Sequence, residues 1–339
     1  MSKVAVIGTG SWGTAMAGLV APKATEVVLW GRSDDVVEGI NGTHHNPVHL
    51  PGYELPANVR ATRSMEEAAR DADHVILATP SAYLRATSHD LAPYLDSSVP
   101  VLVLSKGMEL GTHYLMHQVA SCELGHEERV CALSGPNHAE EVCLGKVSAA
   151  VVASQSEGCA EDFQRLVVCP TFRAYVSQDV CGVETCGAVK NVVAIACGVG
   201  TGLDCGDNTL AVLMTRGLAE IGRVVASLGG DPMTCMGLAG MGDLVVTCTS
   251  RHSRNRTFGE AFSHGESLEA FEARTRMVVE GARACRSVRE LADERGIEVP
   301  LTRAVHGILY EGVSIADAMA SMLGRSPHEE FYGMGRRDG

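Results

Sequence analysis

The pattern of hydrophobic and polar residues changes near residue 178 and divides the chain into two halves. Before that point, short apolar runs predict β-strands at residues 3–7, 26–30, 58–61, 74–79, 99–104, 130–133 and 148–153. Helical patterns lie between them, at residues 64–70, 81–95, 112–123 and 157–168. Strands that alternate with helices predict a mostly parallel, doubly wound α/β sheet.

The second half has helical patterns throughout. They include residues 182–202, 207–228, 279–295 and 304–311, with Gly296 at the end of the third and Pro300 before the fourth. In residues 207–228 the apolar positions form one stripe, as in a helix that packs one face against a core. We therefore predict two domains, an α/β domain over residues 1–180 and an all-α domain over residues 181–339.

The helix predicted for residues 182–202 carries a lysine in an apolar setting. Between Cys186 and Val199 the only strongly polar residues are Lys190 and Asn191, and apolar residues occupy both faces. A helix that is apolar all round is a buried helix. Burial lowers the pKa of a lysine, by up to about 3–5 units, so Lys190 is a candidate proton acceptor near neutral pH. A lysine whose stem packs on the core while its ammonium group reaches solvent fits the same pattern.

Composition and charge narrow the class of protein. A length of 339 residues fits about two domains, and 45% hydrophobic with 20% charged residues is ordinary for a globular protein. The net charge of −13 argues against nucleic acid or an anionic membrane surface as the main partner. An anionic ligand must then be bound by a local cluster of basic residues.

Membrane spans, secretion signals and metal sites are not expected. We expect no apolar run to reach the roughly 18 residues that span a bilayer. The first residues of the chain already have the pattern of a β-strand, which is unlike a secretion signal. We therefore expect a cytoplasmic protein that is not embedded in a membrane. The twelve cysteines are scattered, without CxxC pairs or zinc-type spacing, so we expect reduced, mostly buried thiols and no metal ion.

A glycine-rich loop follows the first predicted strand. Gly8, Gly10 and Gly13 form a GxGxxG pattern between that strand and an alanine-rich helix, which is the context of a dinucleotide-binding fingerprint. The first glycine permits the tight turn, the second lets the backbone approach a pyrophosphate, and the third allows close packing of helix on strand. The helix N-terminus then offers N–H groups to the phosphates. We predict a site for NADP or NAD; a glycine-rich turn without a ligand is the alternative.

The end of the second strand bears on the choice of cofactor. A site for NAD usually has an acidic residue there, which binds the free ribose hydroxyl, whereas this chain has Gly31 followed by Arg32. Arg32 can accept a 2′-phosphate, so NADP is at least tolerated. Asp34 and Asp35 follow closely and weaken this interpretation, and Arg32 equally fits a solvated loop.

Three loops follow other predicted strands, in the position where doubly wound sheets bind their ligands. These loops contain residues 79–81, 105–107 and 134–139. Lys106 is a single cation directly after an apolar strand. We place it near the cofactor or the substrate in preference to a solvated loop.

A basic cluster in the second half offers a site for an anion. Residues 244–259 contain no carboxylate, while Arg251, Arg254 and Arg256 lie within six residues of one another. Ser253 can cap a helix that starts at Arg254, and the N–H groups of a helix N-terminus favour an anion. Arginines beside a helix terminus suit a phosphate, and a basic surface loop is the alternative.

Several segments, in order along the chain, resemble one enzyme family. They are GTGSWGTA (8–15), SKG (105–107), SGPNHAEEV (134–142), GAVKNVVAI (187–195), TRGLAE (215–220), GLAGMGDLVVTCTS (237–250), SRNRTFG (253–259), VVEG (278–281) and SMLGR (321–325). Through them the chain resembles the bacterial NAD(P)-dependent glycerol-3-phosphate dehydrogenases nearly end to end. The resemblance implies a Rossmann-type dinucleotide-binding domain, a helical substrate and dimerisation domain, and usually a homodimer.

The resemblance also implies an activity and a set of site residues. The activity is the interconversion of sn-glycerol 3-phosphate and dihydroxyacetone phosphate with NAD(P)H, which supplies glycerol 3-phosphate for phospholipid synthesis. Lys190 and Asp243 are implied as the catalytic pair. The residues implied around the substrate are Lys106, Gly135, Asn137, Lys190, Asp243, Ser253, Arg254 and Asn255. Those implied on the dinucleotide, with the three loop glycines, are Ser11, Trp12, Arg32, Lys106, Ala139, Arg254, Val278 and Glu280. Position 137 departs from the family, which usually has serine or threonine there.

Acid–base chemistry at Lys190 fits this reaction. Oxidation of a secondary alcohol requires a base for the hydroxyl proton, and in reverse the same ammonium group polarises the ketone and returns the proton. Asp243 would hold Lys190 and balance its charge, although an aspartate after Gly242 also fits a helix N-cap. The alternatives are another lysine-dependent hydroxyacid dehydrogenase of similar fold, such as 6-phosphogluconate dehydrogenase or ketopantoate reductase, and a non-catalytic dinucleotide sensor.

Overall fold

The computed structural model of the chain describes residues 2–326, 329–330 and 332–333. Two compact units are distinguished by their internal contacts. The first comprises Met1–Ser105 and Met116–Val180, and the second comprises Lys106–Leu115 and Cys181–Gly339. The segment Lys106–Leu115, which the sequence analysis assigns to the first domain, therefore belongs to the second unit.

The first unit is built on a sheet of mostly parallel strands. The strands of the described chain are β1 (Lys3–Ile7), β2 (Glu26–Trp30), β3 (His45–Asn46), β4 (Leu50–Glu54), β5 (Val59–Thr62), β6 (His74–Leu77), β7 (Val101–Val103), β8 (Val130–Ser134), β9 (Ser148–Ala153) and β10 (Phe172–Ser177). Except for the β3–β4 hairpin they form one sheet, in the order β10-β9-β8-β7-β6-β1-β2-β5. Its pairs are parallel apart from β8–β9. The run β5-β2-β1-β6-β7-β8 is the strand order of Rossmann-type folds, so the predicted fold class is confirmed.

The central strand β1 has four consecutive apolar residues, Val4–Ile7. Its residues point alternately to the two faces of the sheet. Val4 and Val6 join one hydrophobic cluster of the unit, while Ala5 and Ile7 join another. Both faces are covered, as in other parallel sheets, so Val4–Ile7 are all apolar and buried, while Lys3 at the start of the strand is only partly buried.

Helices cover this sheet. They are α1 (Ser11–Val20), α2 (Asp34–Thr43), α3 (Met65–Ala69), α4 (Leu84–Leu91), α5 (Met116–Leu124), α6 (Ala139–Cys143) and α7 (Glu157–Val167). The predicted helix over residues 81–95 is confirmed only in its centre, because the turns Ser81–Tyr83 and Ala92–Tyr94 are 3₁₀-helical. Strand β10 was not predicted from the sequence. Its N-terminal half buries alternate residues only, a weaker signal than a continuous apolar run.

The second unit is helical. Its helices are α8 (Val180–Gly202), α9 (Asp207–Ser227), α10 (Asp243–Thr249), α11 (Arg254–Ser263), α12 (Leu268–Thr275), α13 (Glu280–Arg295), α14 (Pro300–Tyr310) and α15 (Ile315–Leu323). The predicted all-α character is confirmed. The limits of α8, α9 and α13 lie within two residues of the predicted ones, whereas α14 begins at Pro300 and not at residue 304 as predicted. Gly296 ends α13 with a left-handed conformation, φ +66°, and Pro300 is the first residue of α14.

Helix α8 is the buried helix that its sequence predicts. Val189 and Val193 pack into one hydrophobic cluster of the unit, while Val192 and Ile195 pack into another. By length and composition α8 is long and apolar enough to cross a membrane, with a mean hydropathy of 1.4 over an 18-residue window, so the expectation that no run reaches this length was wrong. Of that window 94% is buried inside the protein, which gives the apolar residues a role in the core.

Two glycines allow α8 and α11 to approach each other closely. A Cβ atom on Gly198 would lie 2.0 Å from the Arg256 carbonyl oxygen, and one on Gly259 would lie 2.1 Å from the Ile195 carbonyl oxygen. Backbone therefore meets backbone at this crossing. The close packing fixes the start of α11 relative to the polar residues of α8.

Candidate active site

A buried cluster of ionised groups lies in the second unit. Lys190 of α8 donates from its Nζ to Asp243 Oδ1 at 2.7 Å and to Thr247 Oγ1 at 2.6 Å. Lys106 donates from its Nζ to the other oxygen of Asp243, also at 2.7 Å. Lys190 is 4% exposed and Asp243 is 2% exposed, whereas the Lys106 side chain is 18% exposed. The structure thus favours the buried alternative for Lys190 over a solvent-reaching ammonium group.

The electrostatics of the cluster suit proton exchange. Burial lowers the pKa of Lys190 to about 8; Asp243 opposes this shift, and the positive charge of Lys106 adds to it. Burial acts to raise the pKa of Asp243, but the two ammonium groups outweigh it and hold that pKa below its ordinary value. Asp243 therefore remains ionised at neutral pH while Lys190 can lose and regain a proton.

The local backbone explains how Asp243 reaches the lysines. A π-helical turn, Leu238–Gly242, precedes α10, and such turns are frequent at functional sites. Gly242 occupies the N-cap position of α10 and Asp243 is the first helical residue, with its side chain bonded to both lysines. The interpretation of Asp243 as a helix N-cap was therefore wrong. Thr247 lies one turn further on the same face, and its hydroxyl is 3.2 Å from Asp243 Oδ1.

Sequence reasoning missed two polar residues of this region. Thr247 follows Asp243 by four positions, a spacing that places both on one helix face. Asn191 follows Lys190 directly, and its Oδ1 accepts a hydrogen bond from Asn255 Nδ2 at 3.0 Å. The Oδ1 of Asn255 in turn accepts from the backbone N–H of Gly281 at 2.9 Å. This buried chain of amides joins α8, α11 and α13.

The start of α11 has the predicted cap. Ser253 is buried, and its Oγ accepts a hydrogen bond from the Arg256 N–H at 3.3 Å. Arg254, the first residue of the helix, is exposed. Arg256 forms an ion pair with Glu260 at 3.3 Å, so the three arginines of the cluster are not equivalent. Arg254 remains the candidate for an anion at this helix terminus.

The glycine loop in the first unit fits a dinucleotide. Gly8 has φ +127°, and a Cβ atom there would lie 2.8 Å from the Ala78 carbonyl oxygen. A Cβ on Gly13 would lie 2.0 Å from the Gly8 carbonyl oxygen, so this glycine is required for close packing of α1. No atom lies within 4 Å of a Cβ built on Gly10. The second glycine therefore faces open space at the start of α1, where a pyrophosphate would approach.

Other predicted cofactor residues surround this loop. Ser11 donates to the His49 carbonyl oxygen at 3.1 Å. The Nε1 of Trp12 is buried without a hydrogen-bond partner among the described residues. Ala139 opens α6, and it shares a small hydrophobic cluster with Ala15 of α1.

Arg32 follows β2 at the same sheet edge as the loop after β1, because the two strands are parallel neighbours. Its guanidinium lies over the ring of Tyr83, 5.3 Å from the ring centroid. The carboxylate of Asp34 binds Arg63, at 2.7 and 2.8 Å. Because Arg63 pairs with the Asp34 carboxylate, the negative charge of Asp34 repels a 2′-phosphate at Arg32 less strongly.

The remaining predicted residues fall into the same two units. Gly135 follows β8 with φ +153°, and a Cβ there would lie 2.7 Å from the Ala149 carbonyl oxygen. Asn137 is buried, and its Nδ2 has no hydrogen-bond partner among the described residues. Val278 and Glu280 lie at the start of α13 in the second unit, and both are partly buried. The predicted residues thus form one group around the glycine loop and β8, and another around Lys190.

Comparisons with known proteins agree over nearly the whole chain. The family model described as NAD-dependent glycerol-3-phosphate dehydrogenase N-terminus matches residues 3–160, and the corresponding C-terminus model matches residues 179–320. A glycerol-3-phosphate dehydrogenase (NAD(P)+) from Nocardia farcinica is 46% identical over 96% of this chain and 98% of its own. One from Streptomyces griseus is 45% identical over 97% of this chain and 98% of its own.

A solved structure gives the same result. The crystal structure of glycerol-3-phosphate dehydrogenase from Coxiella burnetii superposes with a TM-score of 0.90 at 36% identity, and the match covers 96% of this chain and 99% of that one. The chain is therefore an oxidoreductase that belongs to the NAD(P)-dependent glycerol-3-phosphate dehydrogenase family.

Proposed function

We propose that the protein interconverts sn-glycerol 3-phosphate and dihydroxyacetone phosphate, with Lys190 as the group that accepts and returns the hydroxyl proton. The observation that supports this most directly is the state of Lys190, whose buried Nζ is held by Asp243 and Thr247 and whose pKa is lowered to about 8. A general acid–base group works best when its pKa lies near the operating pH. Lys190 meets that condition.

Each direction of the reaction uses a different protonation state of Lys190. When bound, the nicotinamide cofactor accepts or supplies the hydride. In alcohol oxidation the neutral amine of Lys190 takes the hydroxyl proton as the carbonyl forms. In ketone reduction the ammonium group donates a hydrogen bond and then the proton to the ketone oxygen. Asp243 stays ionised in both directions and stabilises the ammonium form.

Lys106 has a supporting role in this proposal. Its Nζ shares Asp243 with Lys190 and is the more exposed of the two ammonium groups. A second cation in the cluster stabilises negative charge on the substrate oxygen. It also favours the neutral form of Lys190, since like charges disfavour one another.

The start of α11 is the proposed phosphate site. Arg254 contributes an exposed guanidinium at the first position of the helix. The Ser253 side chain accepts a hydrogen bond from the Arg256 N–H, and the N–H groups of Arg254 and Asn255 in the first turn have no intrahelical partners. Such groups and the helix dipole favour an anion. Asn255 is held by Asn191 and Gly281, which fixes the orientation of its amide.

The remaining contacts are proposed from the first unit and the start of α13. Gly8, Gly10, Gly13, Ser11, Trp12 and Ala139 would hold the dinucleotide, with Arg32 on a 2′-phosphate and with Val278 and Glu280 as further contacts. Gly135 and Asn137 would approach the substrate. The buried Nδ2 of Asn137, which has no hydrogen-bond partner among the described residues, supports a ligand contact at that position.

The cellular role is a further part of the proposal. We place the enzyme in the cytoplasm as a homodimer that supplies glycerol 3-phosphate for phospholipid synthesis. The twelve cysteines are all free thiols, as expected for a reducing compartment.

The decisive experiment is NADPH or NADH oxidation with dihydroxyacetone phosphate as the only added acceptor. We expect turnover that depends on this ketone, with glycerol 3-phosphate as the product. Ketopantoate, and 6-phosphogluconate in the oxidative direction, are the matched alternative substrates. Preferential turnover of either one would overturn the proposal, and cofactor binding without turnover of any of them would favour a dinucleotide sensor.

A further inference from the structure

The hairpin Lys106–Leu115 places Lys106 within the second unit. Met108 and Leu115 form its β-bridge, and the Glu109 N–H donates to the Tyr114 carbonyl oxygen at 2.9 Å. The side chains of Met108 and Leu115 are both buried in the hydrophobic cluster that includes Val189 and Val193 of α8. The hairpin is thus anchored to the helix that carries Lys190.

A buried hydroxyl group fixes the base of this hairpin. Ser287 of α13 is 1% exposed, and its Oγ donates to the Met108 carbonyl oxygen at 3.0 Å. Met108 is only two residues from Lys106. At the far end of the hairpin, His113 lies 3.6 Å from Glu290 and 3.4 Å from Glu294, both of which belong to α13.

We infer that Ser287 is a positioning residue for the reaction, because its hydrogen bond to Met108 holds the hairpin against α13 in the place from which Lys106 reaches Asp243. Ser287 itself would touch neither substrate nor cofactor. The inference rests on the proposed roles of Lys190 and Lys106.

The position of Lys106 can be tested through the pKa of Lys190, because the charge of Lys106 affects that pKa. From α10, Asp243 raises the pKa of Lys190, and from the hairpin Lys106 lowers it. The nearby Cys248 thiol of α10 stays uncharged, because its hydrogen bond with Cys197 and its burial raise its own pKa. A loosened hairpin withdraws this positive charge and leaves Asp243 less neutralised. Both changes favour the ammonium form of Lys190, so its pKa rises.

The test is the pH dependence of kcat for glycerol 3-phosphate oxidation in Ser287→Ala. In this profile kcat rises as Lys190 loses its proton, so the midpoint of the rising limb reports the pKa of Lys190. We expect this limb to move upward by a few tenths of a pH unit, because the hairpin is loosened but not removed. Lys106→Met removes the charge completely, and we expect it to move the limb upward by roughly one pH unit or more.

A matched control separates positioning from simple destabilisation. Thr302 of α14 is also a hydroxyl residue that is 1% exposed, and its Oγ1 donates to Glu220 instead of the hairpin. We expect Thr302→Val to lower the melting temperature without moving the pH limb. Ser287→Cys, which is nearly isosteric and has only a weak S–H donor, gives the same readout if the alanine variant is unstable.

The outcomes distinguish the inference from the proposed function. If Lys106→Met moves the limb and both Ser287 variants leave it in place, Ser287 is a structural residue only and the inference fails. If Lys106→Met leaves the limb in place, the assignment of the limb to Lys190 beside Lys106 fails, and the proposed acid–base mechanism fails with it.

Discussion

Lys190 and Asp243 form a buried ion pair in which Nζ lies 2.7 Å from Oδ1. Buried ion pairs contribute little to stability unless other groups satisfy the charges. Here Lys106 binds the second carboxylate oxygen and Thr247 binds the Lys190 ammonium group. Because the pKa of Lys190 is nevertheless lowered to about 8, the arrangement suits proton exchange more than it stabilises the fold.

Replacement of Lys190 by methionine separates catalysis from packing. Lys190→Met keeps a similar apolar stem and removes the buried charge, so we expect a folded protein that binds NADPH normally. On the proposed mechanism kcat falls by at least roughly 10²–10⁴-fold, the contribution of a positioned general acid–base group. The measurements are turnover, melting temperature and NADPH affinity, with Lys146→Met, an exposed lysine, as the control. Near-normal turnover in the folded variant would show that Lys190 is only a core residue.

The two directions of the reaction have opposite pH dependence. Neutral Lys190 is the base in alcohol oxidation, so kcat rises as the pH increases through about 8; the ammonium form is the acid in ketone reduction, so kcat falls through the same range. Asp243 raises the pKa of Lys190, and Asp243→Asn should therefore lower the rate and move both limbs to lower pH. A shift of the limbs to higher pH in this variant would contradict the assignment.

Arg32 should discriminate between the two cofactors. Only NADPH offers a 2′-phosphate for a charge-assisted hydrogen bond, so Arg32→Ala should reduce kcat/KM for NADPH by roughly tenfold or more and affect NADH less. We expect the unaltered enzyme to use NADPH at least as well as NADH. Arg165→Ala, at an exposed arginine of α7, is the control. Equal losses with both cofactors would remove Arg32 from this role.

Arg254 should be sensitive even to a conservative change. An ammonium group cannot reproduce the paired donors of a guanidinium, so Arg254→Lys should raise KM for dihydroxyacetone phosphate. The loss should be small with unphosphorylated dihydroxyacetone, which we expect to be a very poor substrate. Arg256→Lys is the matched comparison, since Arg256 already pairs with Glu260 and should matter less. A wild-type KM in Arg254→Lys would refute the phosphate assignment.

The glycine loop offers a test that leaves the fold intact. A Cβ on Gly10 meets no atom within 4 Å, and the backbone there, φ −66° and ψ 175°, is open to alanine. Gly10→Ala should therefore keep a normal melting temperature and weaken the binding of both NADPH and NADH. Gly42→Ala in α2, where a Cβ also meets no atom, is the control and should leave cofactor affinity unchanged. Unchanged affinity in Gly10→Ala would argue against a pyrophosphate at this turn.

The sequence by itself determined the features that arise from local periodicity and local backbone chemistry. The apolar run of β1, the glycine loop and the Ser253 cap are readable because each depends on residues a few positions apart. The burial of α8 is also local, since apolar residues occupy all of its sides. The order of such segments was sufficient to indicate the enzyme family, which the family models and relatives then showed.

The tertiary structure decided the questions that involve distant residues. Lys106 and Lys190 are 137 and 53 positions from Asp243, so no sequence pattern shows that one carboxylate binds both ammonium groups. The same holds for the pairing of Asp34 with Arg63 and for the place of the Lys106 hairpin in the helical unit. Whether a lysine in an apolar helix is solvated or paired depends on which groups the folded chain brings to it, because its pKa depends on burial and neighbouring charges.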